Sequence, residues 1–244
     1  MAVIIIPARK GSTRLKNKLL LNVKNKPIIQ WTVENCLLVD GIDDVIVATD
    51  SEEIKSVLEK IPDVKVVMTP SDLKTGSDRV AFVAKDINDD FIINVQGDEP
   101  LIPPKDIEKL VRELENADVT TLAYPLSSEE DFLNPNIVKV VLDKNDYALY
   151  FSRSPIPFYR DIDFKTLKQS YTNLPLRHIG IYGYRKDVLM DFAYRLSSAP
   201  IEEIEKLEQL RLLYNGYKIK IVYASRETIG IDTKEDFEKF CKLV

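Results

Sequence analysis

Short runs of β-branched and aliphatic residues recur along the chain, separated by stretches whose apolar positions return every three or four residues. The runs at 2–7, 44–49, 64–68, 91–95, 119–124, 137–142, 147–151, 178–184 and 217–223 predict strands. The intervening periodicity predicts helices over 27–38, 51–60, 77–87, 104–115, 185–195, 201–214 and 233–242. Val45-Ile46-Val47-Ala48 and Phe91-Ile92-Ile93-Asn94-Val95 show no polar alternation, as expected of strands buried on both faces of a mostly parallel sheet. Alternation of strand and helix through residue 124 predicts a Rossmann-like α/β core. Between about 143 and 184 the pattern changes. Tyr147, Tyr150, Phe151, Phe158, Tyr159, Tyr171, Tyr182 and Tyr184 crowd together there with Pro155, Pro157 and Pro175. That stretch predicts an extended insertion, which either covers a substrate, packs a subunit interface, or forms a satellite apolar cluster of its own.

Composition narrows the function classes. A chain of 244 residues suffices for a sizeable core in one domain, and 45% hydrophobic with 30% charged residues is ordinary globular usage. A net charge of −5 opposes the broad basic field that a nucleic-acid or membrane-surface binder needs, so neither partner is expected. Cys36 and Cys241 fall in helix-like patterns without metal-ligand spacing; both read as small buried hydrophobes in a reducing compartment. No apolar run approaches membrane-spanning length. The N-terminal apolar run is short and its positive charges follow it, so a signal peptide is not expected and a cytoplasmic location is.

Cationic residues cluster in one place on this acidic chain. The first strand breaks at Pro7-Ala8 into Arg9-Lys10-Gly11-Ser12-Thr13-Arg14-Leu15-Lys16-Asn17-Lys18. Backbone N–H groups freed around Gly11 can turn toward an anion, which Arg9, Arg14 and Lys18 can neutralise. The loop lacks the glycine spacing of a Walker A motif and has one glycine where a dinucleotide fingerprint needs three. It predicts a small-anion site of another kind.

Further candidates fall where strands end. Asp98, in Gln96-Gly97-Asp98-Glu99-Pro100, is placed to hold a divalent metal bridging phosphates, beside a glycine that admits a ligand to the backbone; taken alone, it reads first as a plain turn. Asp232 offers a second carboxylate, or with Glu235 a capping box for the last helix. Thr75, Gly76 and Ser77 offer hydroxyls and a helix start, or a simple N-cap at Thr75 or Ser77. His178 is the single histidine, which excludes a histidine metal cluster; alone it is more often structural. On the helix predicted across 201–214, Ile204, Leu207, Leu210 and Leu213 form the apolar stripe. Glu205, Glu208 and Gln209 fall on its solvated face.

Taken in order, the Pro7-to-Lys18 loop, Thr75-Gly76-Ser77-Asp78-Arg79 and Val95-Gln96-Gly97-Asp98-Glu99-Pro100 resemble the nucleotide-activating cytidylyltransferases. Asn134-Pro135-Asn136-Ile137-Val138-Lys139, Ala148-Leu149-Tyr150-Phe151-Ser152-Arg153, the stretch Arg177 to Arg185, and Leu207-Glu208-Gln209-Leu210-Arg211 narrow the resemblance to the members that activate 3-deoxy-manno-octulosonate (Kdo). The resemblance runs end to end. It implies a single domain of the nucleotide-diphospho-sugar transferase type, with the 143–184 insertion contributing to sugar binding and a homodimer contact near 150–185. It also implies CMP transfer from CTP to the anomeric hydroxyl of Kdo with release of pyrophosphate, for lipopolysaccharide synthesis.

The same resemblance assigns residues. Two magnesium ions would rest on Asp98 and Asp232, with Arg9 and Lys18 on the triphosphate. Ala8, Gly11, Ser12, Thr75 and Ser77 would frame the nucleotide, and Arg14, Gln96, Arg153, His178, Tyr182 and Gln209 the sugar. Two departures stand out. Lys16-Asn17 precedes Lys18 where the family usually has Pro-Gly, and Leu73-Lys74-Thr75-Gly76-Ser77 replaces a His-x-Ser-Gly-Thr pattern, keeping the hydroxyls and losing the histidine. The rival readings are a CMP-sialate synthetase, whose loop usually reads closer to Gly-Ser-Lys-Gly-Ile, and a GT-A-like glycosyltransferase, against which the lack of an Asp-x-Asp pair at 96–98 speaks.

Overall fold

A computed structural model describes residues 1–11 and 15–244. In chain order the elements begin with β1 (Ala2–Ala8), a 3-10 turn (Lys18–Leu20), the small hairpin β2 (Asn22–Val23) and β3 (Lys26–Pro27), then α1 (Ile28–Cys36). There follow β4 (Asp44–Thr49), α2 (Glu52–Leu58), β5 (Val64–Met68), α3 (Gly76–Ala84), β6 (Phe91–Asn94), α4 (Pro104–Glu113) and β7 (Val119–Pro125). The second half holds α5 (Glu129–Leu133), β8 (Lys139–Leu142), β9 (Ala148–Ser152), α6 (Phe164–Ser170), β10 (Leu176–Arg185) and α7 (Lys186–Tyr194). The chain closes with α8 (Pro200–Glu205), α9 (Gln209–Tyr214), β11 (Ile219–Tyr223) and α10 (Lys234–Leu243).

The main sheet runs β11-β7-β10-β6-β1-β4-β5. β1 pairs in parallel with β4, Val3 opposite Asp44 through Ala8 opposite Thr49, and in parallel with β6 on its other side. β4–β5 and β7–β11 are parallel as well. β10 alone in this path is antiparallel, inserted between β6 and β7. The β8–β9 hairpin attaches beside the first residues of β10. This is the mixed, mostly parallel sheet expected of the α/β core.

Both faces of β1 are covered, which is why its residues alternate between two cores without a polar position. Ile4, Ile6 and Ala8 pack with α1, α2, α4 and α10 through Ile29, Val33, Ile54, Leu110 and Phe240. Val3 and Ile5 pack with α3, α7 and α9 through Val80, Leu189, Phe192 and Leu210. The crowded 143–184 stretch resolves into parts. Phe164 and Leu167 of α6 join Leu126 and Phe132 in a small separate core, whereas β10 is a full member of the main sheet.

Several sequence expectations change. The helix predicted over 201–214 is two helices, with Lys206 between them in the left-handed region at φ 54°. Arg153 ends the first helix by donating from Nε to the Glu205 carbonyl at 2.7 Å and from its guanidinium to the Lys206 carbonyl at 3.4 Å. A tertiary contact thus overrides the apolar spacing. Ile204 is 82% exposed and leaves the predicted stripe, while Leu207 and Leu210 stay buried. Glu205 is not solvated by default either, since its carboxylate accepts from Ser152 Oγ at 2.6 Å and Arg153 N at 3.0 Å. Cys36 is buried, but Cys241 is exposed because α10 buries Phe240 alone of its residues. α5 and α6 escaped detection because each is under two turns and is announced only by a capping side chain, Ser128 or Asp163. No helix among the described residues is long and apolar enough to cross a membrane.

Candidate active site

The parallel strands β1 and β6 deliver their following loops to one edge of the sheet, the edge where open α/β sheets collect ligands. After Asn94 the chain turns through Gln96-Gly97-Asp98-Glu99, and α1 holds that turn: buried Thr32 Oγ1 donates to the Gly97 carbonyl at 2.9 Å. Gly97 is needed beneath the cavity rather than in it. A Cβ there would lie 3.0 Å from Ile29 Cδ1 and 3.3 Å from the Pro7 carbonyl, so packing against α1 explains the glycine.

The far end of the chain is tied to the same turn. Ile231 N donates to the Asp98 carbonyl at 2.9 Å, which lays residue 232 beside residue 98. A Cβ on Gly230 would sit 2.7 Å from Glu99 Oε1, so the glycine lets this segment close down on the Glu99 carboxyl. The helix cap falls one residue later than the sequence suggested. Thr233 accepts from Asp236 N at 3.2 Å and Asp236 accepts from Thr233 N at 3.0 Å, so Asp232 is not the cap. Its carboxylate accepts instead from Lys18 Nζ at 2.7 Å, and the same ammonium donates to Asp98.

Electrostatics keep the Lys18 ammonium charged. Burial alone disfavours the Lys18 ammonium, yet Asp98 and Asp232 outweigh it and hold its pKa above the ordinary lysine value. Glu99 behaves oppositely. Burial, reinforced by Asp98 and Asp232 against the pull of Arg177 and Lys18, pushes its carboxyl up to about 8. Its Oε2 is sealed from solvent without a hydrogen-bond partner.

A cavity of about 300 Å³ opens above the triad. Arg9, Lys18, Lys74 and Arg79 bring positive charge to it, and Asp98, Asp232 and Glu208 negative charge. Its first loop is pinned from below: Lys10 N donates to Asp50 Oδ1 at 3.0 Å, and Asp50 Oδ2 accepts from the buried Arg79 guanidinium at 3.0 Å. The start of α3 forms another wall. Thr75 is its N-cap, accepting from Asp78 N at 3.1 Å in a reciprocal capping box, and it also lines the cavity. The cap and the site are therefore one residue with two duties.

A second cavity of about 300 Å³ shares Gly76, Gln96 and Glu208 with the first. Ser77, His178, Tyr182 and Gln209 line it. Because β10 is antiparallel, its early residues reach the edge where β1 and β6 end, and Tyr182 pairs with Asn94. The His178 ring packs edge-on to Phe151 at 5.0 Å and beside Tyr182 at 5.4 Å. Burial, aided by Arg177, pushes its pKa down to about 3, so the ring is neutral at working pH. Asn94, 1% exposed, accepts from Gln96 Nε2 at 3.1 Å, while its own Nδ2 is buried with no partner at this wall.

The structure therefore brings Arg9, Gly11, Lys18, Thr75, Gln96, Asp98 and Asp232 to the first cavity, and Ser77, Gln96, His178, Tyr182 and Gln209 to the second. Ser12 and Arg14 lie outside the described residues. Ala8 is fully buried in the core below the first cavity, where Pro7 lines instead. Arg153 lines neither; its donors go to the carbonyls of Pro135, Glu205 and Lys206, so it sits behind the Lys206 turn. Gln209 and Glu208 are not a solvated face: the break after Glu205 swings both to the site.

Glu208, Lys206, Asn94 and Arg79 are among the lining residues that the sequence did not assign to the site. Glu208 joins the two cavities, with burial raising its pKa against hydrogen bonds from Ser77 and Thr75. Its sole sequence signal was proximity to Gln209, and helical periodicity pointed the wrong way.

Comparison with known proteins agrees with this geometry. A family model described as cytidylyltransferase matches residues 3–221. A 3-deoxy-manno-octulosonate cytidylyltransferase of Francisella tularensis subsp. holarctica is 47% identical, across 98% of this chain and 97% of that protein. One of the same name from Chloroherpeton thalassium is 45% identical, across 98% and 95%. A solved CMP:2-keto-3-deoxy-manno-octonic acid synthetase complexed with CTP superposes with a TM-score of 0.90 at 39% identity, covering 99% of this chain and 97% of that one. A 4-diphosphocytidyl-2C-methyl-D-erythritol synthase from Anaerococcus prevotii, 16% identical at a TM-score of 0.68, shares the fold.

Proposed function

Since the chain belongs to the cytidylyltransferase family, we propose that it transfers CMP from CTP to the anomeric hydroxyl of Kdo, giving CMP-Kdo and pyrophosphate for lipopolysaccharide synthesis. One observation carries the reading: Asp98 and Asp232, 134 residues apart in the chain, converge on a single ammonium in the first cavity, next to a second cavity that shares its wall. The first cavity takes the triphosphate and nucleoside, the second the sugar. The shared wall of Gln96 and Glu208 is where the reacting atoms meet.

In the reaction the anomeric oxygen bonds to the α-phosphorus, the bond to the β-phosphate oxygen breaks, and the hydroxyl proton passes to solvent. Both reactants are anions, so positioning and charge neutralisation matter more than a nucleophilic side chain. Arg9 and Lys18 carry positive charge to the phosphates from one loop, and the α3 N-terminus at Thr75 directs backbone donors to them. His178, Tyr182 and Gln209 orient the sugar by hydrogen bonds, and Lys206, the cation on that wall, meets its carboxylate.

The acidic pair fits magnesium on its donor chemistry. Two carboxylates already hold a cationic group, and among the described residues no three His, Cys, Asp or Glu side chains gather as a complete metal cage. Hard oxygen donors that leave the remaining positions to phosphates and water suit magnesium rather than zinc. Asp98 and Asp232 would hold it, and when bound it would neutralise phosphate charge and acidify the attacking hydroxyl. Lys18, beside both carboxylates, would add positive charge for the phosphates.

The test is pyrophosphate release from CTP and magnesium chloride with either Kdo or sialate. Release with Kdo alone is expected; release with sialate and none with Kdo would replace the sugar assignment. A homodimer through the 150–185 region belongs to the same reading, supported by Phe158 at 87% and Tyr171 at 57% exposure, and sedimentation measures it. A cytoplasmic location belongs to it too, since CTP is a cytoplasmic metabolite.

A further inference from the structure

Thr121 of β7 is fully buried and lines neither cavity, yet its hydroxyl touches three polar groups at once. Oγ1 lies 2.7 Å from the Ile181 carbonyl, 3.2 Å from the Ile179 carbonyl and 2.9 Å from His178 Nε2. The strand register explains the crowding. Ile179 pairs with Leu122 and Tyr182 with Thr121, so β10 spends two extra residues, Gly180 and Ile181, against a single step of β7. Carbonyls around such a bulge lose their ladder partners and turn inward.

We propose that Thr121 is a positioning residue for sugar recognition: it holds the His178 imidazole as the Nε2–H tautomer, so that Nδ1 offers the second cavity a neutral acceptor for a sugar hydroxyl. The argument is one of counting protons. A carbonyl only accepts and a hydroxyl owns one hydrogen, so the Thr121 hydrogen goes to the bulge carbonyls. Oγ1 is then left with accepting capacity alone toward His178, and Nε2 must carry the proton. The opposite tautomer would take the hydrogen for Nε2 and leave two buried carbonyls facing hydroxyl lone pairs. Among the described residues no partner engages Nδ1, and the ring is fixed in place by Phe151 and Tyr182. Burial and Arg177 keep the ring from taking a second proton, which supports the same arrangement. A neutral acceptor suits a hydroxyl and disfavours the sugar's carboxylate, so the imidazole sets which end of the sugar enters beside β10.

The identity of the sugar rests on the proposed function; the tautomer does not. His178 is the sole histidine of the chain, so a long-range proton–nitrogen correlation spectrum of the uniformly ¹⁵N-labelled protein contains one imidazole. In the unliganded wild type, Nε2 is expected as the protonated nitrogen and Nδ1 as the unprotonated one. Observation of the Nδ1–H form would overturn the proposal outright. Thr121→Val should shift the ring toward a tautomer mixture and raise KM for Kdo by about tenfold, with KM for CTP unchanged. Thr121→Ser should restore both readouts. A merely structural hydroxyl would move stability while leaving the imidazole spectrum and the Kdo-to-CTP split untouched, and that result rejects the proposal. Should Thr121→Val fail to fold, the wild-type spectrum and Thr121→Ser still decide it. Absence of pyrophosphate release with Kdo in the wild type would strike the function reading while leaving the tautomer measurement standing.

Discussion

The two cavities that meet at Gln96 and Glu208 are built by opposite means. The first is built from formal charges on loops that follow strand ends, with Arg9 and Lys18 in one loop and Asp98 directly after β6. The second has one cation, Lys206, and apart from the shared Glu208 carboxylate offers amides, hydroxyls and a neutral imidazole on β10, α3 and the α8–α9 break. Phosphate recognition tolerates this economy because charge acts over several ångströms and backbone N–H groups do much of the binding. Hydroxyl recognition does not, since hydrogen bonds fail beyond a few tenths of an ångström or poor angles. The second cavity is accordingly framed by a bulge, a buried threonine and a helix break.

Removing charge from the first cavity should have the largest effect. Asp98→Asn and Asp232→Asn are each expected to lower kcat by roughly 10²–10³-fold with the circular-dichroism melt little changed. An active Asp232→Asn protein with a lowered Tm would make that residue a structural contact and erase the contrast. Next comes Gly230→Ala. Its Cβ would press on Glu99 Oε1 and displace Asp232, so kcat should fall by roughly 10- to 100-fold without any loss of a functional group. Steady-state kinetics with CTP and Kdo measure both.

Substitutions on the sugar side should split the Michaelis constants. Tyr182→Phe and Gln209→Ala are expected to raise KM for Kdo by about tenfold and to leave KM for CTP within twofold. A parallel rise in both constants would mean that the second cavity also holds the nucleotide. A weaker effect lies in the pH dependence of stability. His178 has a folded pKa of about 3, below its ordinary value near 6.5, so between those values the unfolded chain takes up a proton that the folded chain refuses. Its contribution is complete above pH 6.5 and is lost as pH falls toward 3. Urea midpoints measured from pH 7 to 4 should therefore drop less steeply for His178→Asn than for the wild type. The smallest effect is expected for Lys10→Ala, under about twofold in kcat. Lys10 Nζ turns away to the exposed Glu53 at 2.9 Å, and only its backbone N–H anchors the loop.

The sequence by itself determined the layers and the charged half of the site. β1 is apolar on every buried position, and β4 and β6 are so up to their last residues, Thr49 and Asn94, a pattern that has no use outside a sheet covered on both faces. Lys18, Asp98 and Asp232 could be named because each follows a strand or opens an element, where α/β sheets present their chemistry. Only the tertiary structure decided what those residues touch. Asp232 is distinguished from a helix cap by Thr233, which does the capping, and by the Ile231–Asp98 hydrogen bond that spans the chain. Arg153, read as a sugar contact by resemblance, spends its donors on the carbonyls that break a helix periodicity had made continuous. Glu208 was assigned to solvent because an unbroken 3.6-residue repeat would have put it there. Local spacing encodes which face of an element is apolar. It does not encode where a partner forty or a hundred residues away will end that element, and the second cavity depends on such endings.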